Sequence, residues 1–171
     1  ITDAKIRGSY GSIGNQNVGA DRFIPTMTTS STLNWLSTAG TRPIYTNNPA
    51  NVSSSLKWET INTLNIGADL KFLDNELGLT VDWFQRDNSN MIAPGSTLPS
   101  AFGVGAAAQN SGSLRTSGWE VDLSYNHSIG KNAFFYGDVT LSDYTGKITK
   151  WSGNDSKMLY TYYEGKKIGE I

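Results

Sequence analysis

The chain has no cysteine, a single histidine, and no apolar run near the 18 or so residues that a membrane-crossing helix requires. Without cysteine there is no disulfide scaffold and no thiolate metal site. His127 leaves a histidine-based triad only one base, and no nucleophile is marked beside it. Basic excess is missing too: 14 Lys and Arg stand against 15 Asp and Glu, a net charge of -1. No basic stripe exists to neutralise phosphates, so nucleic acid is not an expected partner. The lack of helical spans does not exclude the membrane. A transmembrane strand is apolar only at every second position, which keeps mean hydropathy low; here it is -0.37.

What the chain does have is alternation. Residues 4–14, 56–73, 77–87, 117–129 and 134–150 read as extended segments, joined by a long, a very short, a long and a very short connection. In 56–73, Leu56, Trp58, Leu64, Ile66, Ala68, Leu70 and Phe72 share one parity; Lys57, Glu59, Thr63, Asn65, Asp69 and Lys71 share the other. Asp74-Asn75-Glu76 then turns the chain into Leu77, Leu79, Val81 and Trp83, alternating with Gly78, Thr80, Asp82 and Phe84. A second hairpin repeats the design around Gly130-Lys131-Asn132. Trp119, Val121, Leu123 and Tyr125 lead in, and Phe135, Val139 and Leu141 lead out. The first segment is weaker, with Ile6 and Tyr10 opposed by Lys5, Arg7 and Ser9. This is an antiparallel up-and-down all-β wall with sidedness: tight turns at 74–76 and 130–133, long polar connections at 15–55 and 88–116. The latter hold Thr28-Thr29-Ser30-Ser31-Thr32, Asn47-Asn48-Pro49 and Pro94-Gly95.

The polar parity needs water. Asp69, Lys71, Asp82, Arg86, Glu120 and Asp122 are costly in a dry core, where an unpaired charge costs several kcal/mol or more. Two environments satisfy this. In a large transmembrane barrel the wet side is the lumen, and Leu64, Ile66, Leu70, Val81, Val121 and Leu123 face lipid. In a soluble all-β carbohydrate-binding module those residues face a second sheet. Trp58, Phe72, Trp83, Trp119 and Phe135 fall near the ends of the segments, as an interfacial girdle would, which favours the barrel.

Catalysis finds little footing. Glu120 and Asp122 share a face as a glycosidase pair would, yet a solvated wall explains them more simply. Asn154-Asp155 lacks the spaced acids of a calcium loop. No metal, cofactor or enzymatic role is expected. Ligand binding has better candidates: Trp35, Tyr45 and Phe102 offer aromatic faces in the long connections, with Asn47 and Asn48 beside them. Arg7, Asp82 and Arg86 are expected on the lumen side near the rim that carries the long loops.

Several ordered motifs carry a resemblance. Ile6-Arg7-Gly8-Ser9-Tyr10-Gly11-Ser12-Ile13-Gly14-Asn15-Gln16 comes first, then Leu56-Lys57-Trp58-Glu59, Asn65-Ile66-Gly67 and Val81-Asp82-Trp83-Phe84-Gln85-Arg86. Asn110 to Gly112, Gly118-Trp119-Glu120, Tyr163-Glu164-Gly165 and Ile168-Gly169-Glu170-Ile171 follow in order. Together they resemble the SusC/RagA-type TonB-dependent transporters, across nearly the whole chain. The resemblance implies a Bacteroidetes outer-membrane barrel of about 22 strands, closed over a plug. It also implies import of oligosaccharides or peptides with a SusD-like lipoprotein, powered through TonB, in contact with outer-membrane lipid. The chain is then expected to be an internal piece of the C-terminal half of that wall, without plug or TonB-contacting segment.

Overall fold

The computed structural model describes residues 1–15, 24–30, 36–93, 95 and 98–169. Gln16, Ser31, Thr32, Trp35, Pro94, Glu170 and Ile171, named above, lie outside the described residues. Five long strands form one antiparallel sheet: β1 (Asp3–Asn15), β4 (Glu59–Phe72), β5 (Leu77–Ala93), β6 (Gln109–Ile129) and β7 (Ala133–Lys150), adjacent in that order. Two short strands, β2 (Thr29–Ser30) and β3 (Tyr45–Thr46), pair within the first long connection. A 3-10 turn, Ser100–Phe102, lies in the second.

The register confirms the two faces. Rows of directly opposed residues read Ala68, Val81, Val121, Leu141 and then Leu70, Leu79, Leu123, Val139 on one side of β4 to β7. The other side reads Arg7, Gly67, Asp82, Glu120, Ser142 across all five strands. Nothing among the described residues covers the apolar side. Ile66 is 50% exposed and Val139 56%, and the only buried hydrophobics among the described residues are Ala93 and Ile148. A second sheet, which the soluble alternative requires, is absent there. The sheet is a wall without a core of its own.

Both tight connections have a local cause. Glu76 N–H donates to Leu73 O at 3.0 Å, with Asp74 and Asn75 at φ 55° and 73°, the left-handed pair that suits a hairpin's twist. Gly130, at φ 68°, opens the turn from Ile129 to Ala133. Beside these turns His127 Nδ1 meets Glu76 Oε2 at 2.9 Å and its ring stacks on Tyr125.

The strands outrun their sequence pattern. β5 continues past 87 to Ala93 and β6 begins at Gln109, so the second connection is 94–108 rather than 88–116. β4 starts at Glu59 and leaves Trp58 outside it, 60% exposed. Trp83 and Trp119 are therefore not at strand ends: they oppose each other in mid-strand. They cap the apolar band instead, because the same face beyond them carries Gln85, Asp87, Arg115 and Ser117. Alternation fails where both faces are wet, and a parity reading stops there. A bulge between Asn88 and Ile92, with Asn90 at φ 58°, shifts the register as well.

Candidate functional site

The polar face is organised around Arg7. Its position opposite Gly67 lets the guanidinium cross β4 and reach β5. Nε and Nη2 each donate at 2.9 Å to Asp69, in a two-point contact, and Nη2 also donates at 2.9 Å to Asp82 Oδ2. Thr80 Oγ1 donates to Asp69 Oδ1 at 3.3 Å. Gly67 makes this possible: a Cβ there would collide with Asp82 Oδ1 and lie 3.1 Å from Arg7 Nη2. The signal in the sequence was a glycine at a polar-parity position inside a long strand.

Arg7, Asp82 and Arg86 line one concavity of about 550 Å³ with Thr63, Asn65, Phe84 and Glu120. Its depth differs from expectation. Arg7 and Asp82 lie nearer the turn ends of β1 and β5 than the loop ends, in mid-wall and not at the rim of the long loops, whereas Arg86 lies on the loop side of the Trp83–Trp119 rung. Strand lengthening at the loop end accounts for the shift. Among the described residues neither Arg86 nor Glu120 forms an ion pair. They present a cation four residues along β5 from Asp82 and a carboxylate opposite it on β6 to anything in the concavity.

The loop candidates form a separate group. Tyr45, Asn47 and Asn48 line a hollow of about 670 Å³ with Gly103 to Ala106. Phe102, just before it, is 62% exposed. Asn47 is partly committed to structure, donating from Nδ2 to Thr28 Oγ1 at 2.9 Å and from its N–H to Thr28 O at 2.8 Å. Nothing in the geometry brings this group to the Arg7 concavity, and Trp35 lies outside the described residues.

Motif residues far apart in the chain meet at the loop end of the wall. Asn110 Nδ2 donates to Lys57 O and Asn90 O, and its Oδ1 accepts from Lys57 N–H at 2.6 Å. Glu59 accepts from Asn15 Nδ2 at 3.2 Å and from the Ile92 N–H at 3.1 Å. These side chains tie the base of the first long loop to the tops of β5 and β6. Alternation gives no sign of this joint, although Asn15, Lys57, Glu59 and Asn110 all stand in the motif segments. Past β7, Gly165 N–H donates to Ile148 O and Ile168 N–H to Gly146 O, both at 2.8 Å, so the chain returns to pair along β7.

A family model described as TonB dependent receptor-like, beta-barrel, matches residues 1–169. The chain belongs to that family. It is 28% identical over 160 residues to the TonB-dependent receptor P3 of Formosa agariphila, covering 93% of this chain and 14% of that protein. It is 25% identical over 162 residues to the TonB-dependent receptor SusC of Bacteroides thetaiotaomicron, covering 94% of this chain and 16% of SusC. Among solved structures it superposes on the RagAB peptide transporter with a TM-score of 0.69 and 22% identity, over 89% of this chain and 16% of that one. The RagAB peptide importer in its 'open-open' state gives 0.71 and 21%, over 88% and 16%. The chain thus spans about a seventh of each relative. In a receptor barrel of this family the two faces of the wall are distinct, the polar one lining the lumen and the apolar one turned outward. The tight turns are periplasmic and the long loops extracellular.

Proposed function

We propose that the protein containing this wall is an importer of oligosaccharides or peptides, working with a SusD-like surface lipoprotein and energised through TonB. Its family is one of receptors and transporters, and this segment acts by shape and charge rather than by catalysis. The observation that carries the reading is the family match along 1–169 combined with a lumen face that keeps charge available. Arg86 and Glu120 offer a cation and a carboxylate beside the ring of Phe84, a set that suits hydroxyls, amides and charged ends of a passing polar solute. Tyr45, Asn47, Asn48 and Phe102 lie on the extracellular side, where a substrate makes its first contacts.

Disruption of the full-length gene tests the importer reading directly. Uptake of labelled oligosaccharides and of labelled peptides is followed in the parent strain, the disrupted strain and a strain lacking TonB. Loss of one solute class in both altered strains is the expected result. Undiminished uptake of every solute in the disrupted strain overturns it. The contribution of the concavity is read from Arg86→Met and Glu120→Gln in the full-length protein, which should slow uptake at unchanged barrel abundance.

A further inference from the structure

One row of charge on the outer face has no role in lumen or loops. Asp87, Arg115 and Lys147 are directly opposed across β5, β6 and β7, and Lys147 pairs in turn with Lys167 on the returning segment. All four share the parity of Trp83, Trp119, Val121 and Leu123, so they point to the membrane side. An independent contact agrees: Ile168 covers Gly146 on the opposite face, which turns its neighbour Lys167 outward. Asp87 neutralises Arg115 through bonds of 2.6 and 3.2 Å. Lys147 and Lys167 are exposed, and neither forms an ion pair among the described residues.

Depth decides what this row meets. Arg115 and Lys147 stand two rungs beyond the Trp119 rung, about 13 Å along a strand and about 10 Å along the normal at a tilt near 40°. Tryptophan marks the boundary of the hydrocarbon, so the row lies at the level of lipid headgroups, within reach of long side chains that bend toward the interface. Because it is at the loop end, it faces the outer leaflet. Asp143, opposite Trp119 on the same face, repels anions that would settle lower.

We infer that Lys147 and Lys167, flanked by Arg115, form a site for the phosphate of an anionic lipid in the outer leaflet. The inference rests on the outer-membrane placement and is independent of what the receptor imports. Two ammonium groups, on β7 and on the segment bridged to it and without an ion pair among the described residues, match a phosphomonoester, which carries close to two negative charges at neutral pH.

The test uses the full-length receptor in detergent, titrated with phosphatidic acid, with phosphatidylcholine and with inorganic phosphate, with bound lipid counted by native mass spectrometry. Phosphatidic acid should bind in preference to phosphatidylcholine. Lys147→Gln with Lys167→Gln should weaken it roughly 30-fold, at roughly fivefold per lysine. Asp87→Asn, which frees Arg115, should tighten it. Unchanged affinity in the double lysine variant overturns the site. Equal binding of phosphatidylcholine overturns the need for an anion, and displacement by equimolar inorganic phosphate shows a generic anion site and overturns the lipid assignment.

Discussion

Arg7 on β1 and Asp82 on β5 bond at 2.9 Å across an intervening strand, through the space that a side chain at Gly67 would fill. The wall is thereby cross-linked over three strands by one cation. Gly67→Ala should push the Asp82 carboxylate aside and break this arm, while the two-point contact of Arg7 with Asp69 survives. The expected cost is about 1 kcal/mol in the full-length barrel. In an Asp82→Ala background it should fall to less than half of that, because the colliding atom is gone. Thermal unfolding of the four proteins, followed by heat modifiability on gels, measures the coupling, and strict additivity refutes it.

Gly118 has a different reason to be small. A Cβ there would lie 2.7 Å from Asp143 O, 2.7 Å from Phe84 Cζ and 2.8 Å from Tyr144 Cβ. One of these is backbone, so a rotamer change cannot relieve the crowding. Gly118→Ala should destabilise the barrel by about 1–3 kcal/mol, and Phe84→Leu should rescue only part of it. Full rescue by Phe84→Leu assigns the whole constraint to the ring and contradicts the β7 backbone's share.

Both hairpins were legible in the sequence because Leu77 to Trp83 and Trp119 to Tyr125 alternate without a break. Residues 88–93 and 109–116 were not, although they are strand. Once the strands rise above the tryptophans, water bathes both faces and selection for period two ends, so Asp87 and Arg115 occupy positions that are apolar lower down. Arg7, Asp82 and Arg86 were found by parity alone. Arg7 and Asp82 lie deeper than expected because the strands run further toward the loops than the pattern shows, while Arg86 does lie on the loop side. Gly67 was visible only as a motif letter, since its contribution is an absent side chain. The Lys147–Lys167 neighbourhood depends on pairing across the loop 151–165, which no local pattern encodes.

Asn110 imitates a strand partner for Lys57, accepting from its N–H at 2.6 Å and donating to its carbonyl at 2.8 Å. Asn110→Ala removes both bonds. Amide hydrogen exchange at Lys57 should then accelerate about fivefold, equivalent to the roughly 1 kcal/mol of a net hydrogen bond. Asn110→Asp keeps the acceptor and loses both donated bonds, so the Lys57 amide should stay protected while Asn90 and Lys57 carbonyls lose their partner. Equal exchange in the alanine and aspartate variants removes the side-chain oxygen from the explanation.

Val139 and Asp138 are neighbours on β7 that point to opposite faces, and both are well exposed in the isolated wall. Exposure alone predicts that arginine is tolerated equally at each. The membrane predicts otherwise. Val139 shares a rung with Leu70, Leu79 and Leu123, between the Trp83–Trp119 rung and the Tyr125–Phe135 aromatic group by the periplasmic turns. That rung lies near the bilayer midplane, where Val139→Arg should cost about 2–4 kcal/mol. Ile66→Arg, on the tryptophan rung, should cost only about 0–1 kcal/mol because it sits at the interface. Asp138→Arg faces the lumen and should change stability by no more than about 0.5 kcal/mol. Reversible folding of the full-length barrel into lipid vesicles gives all three values. Equal costs at 138 and 139 would reverse the assignment of lipid and lumen to the two faces, and with it the direction in which Arg7, Asp82 and Arg86 point.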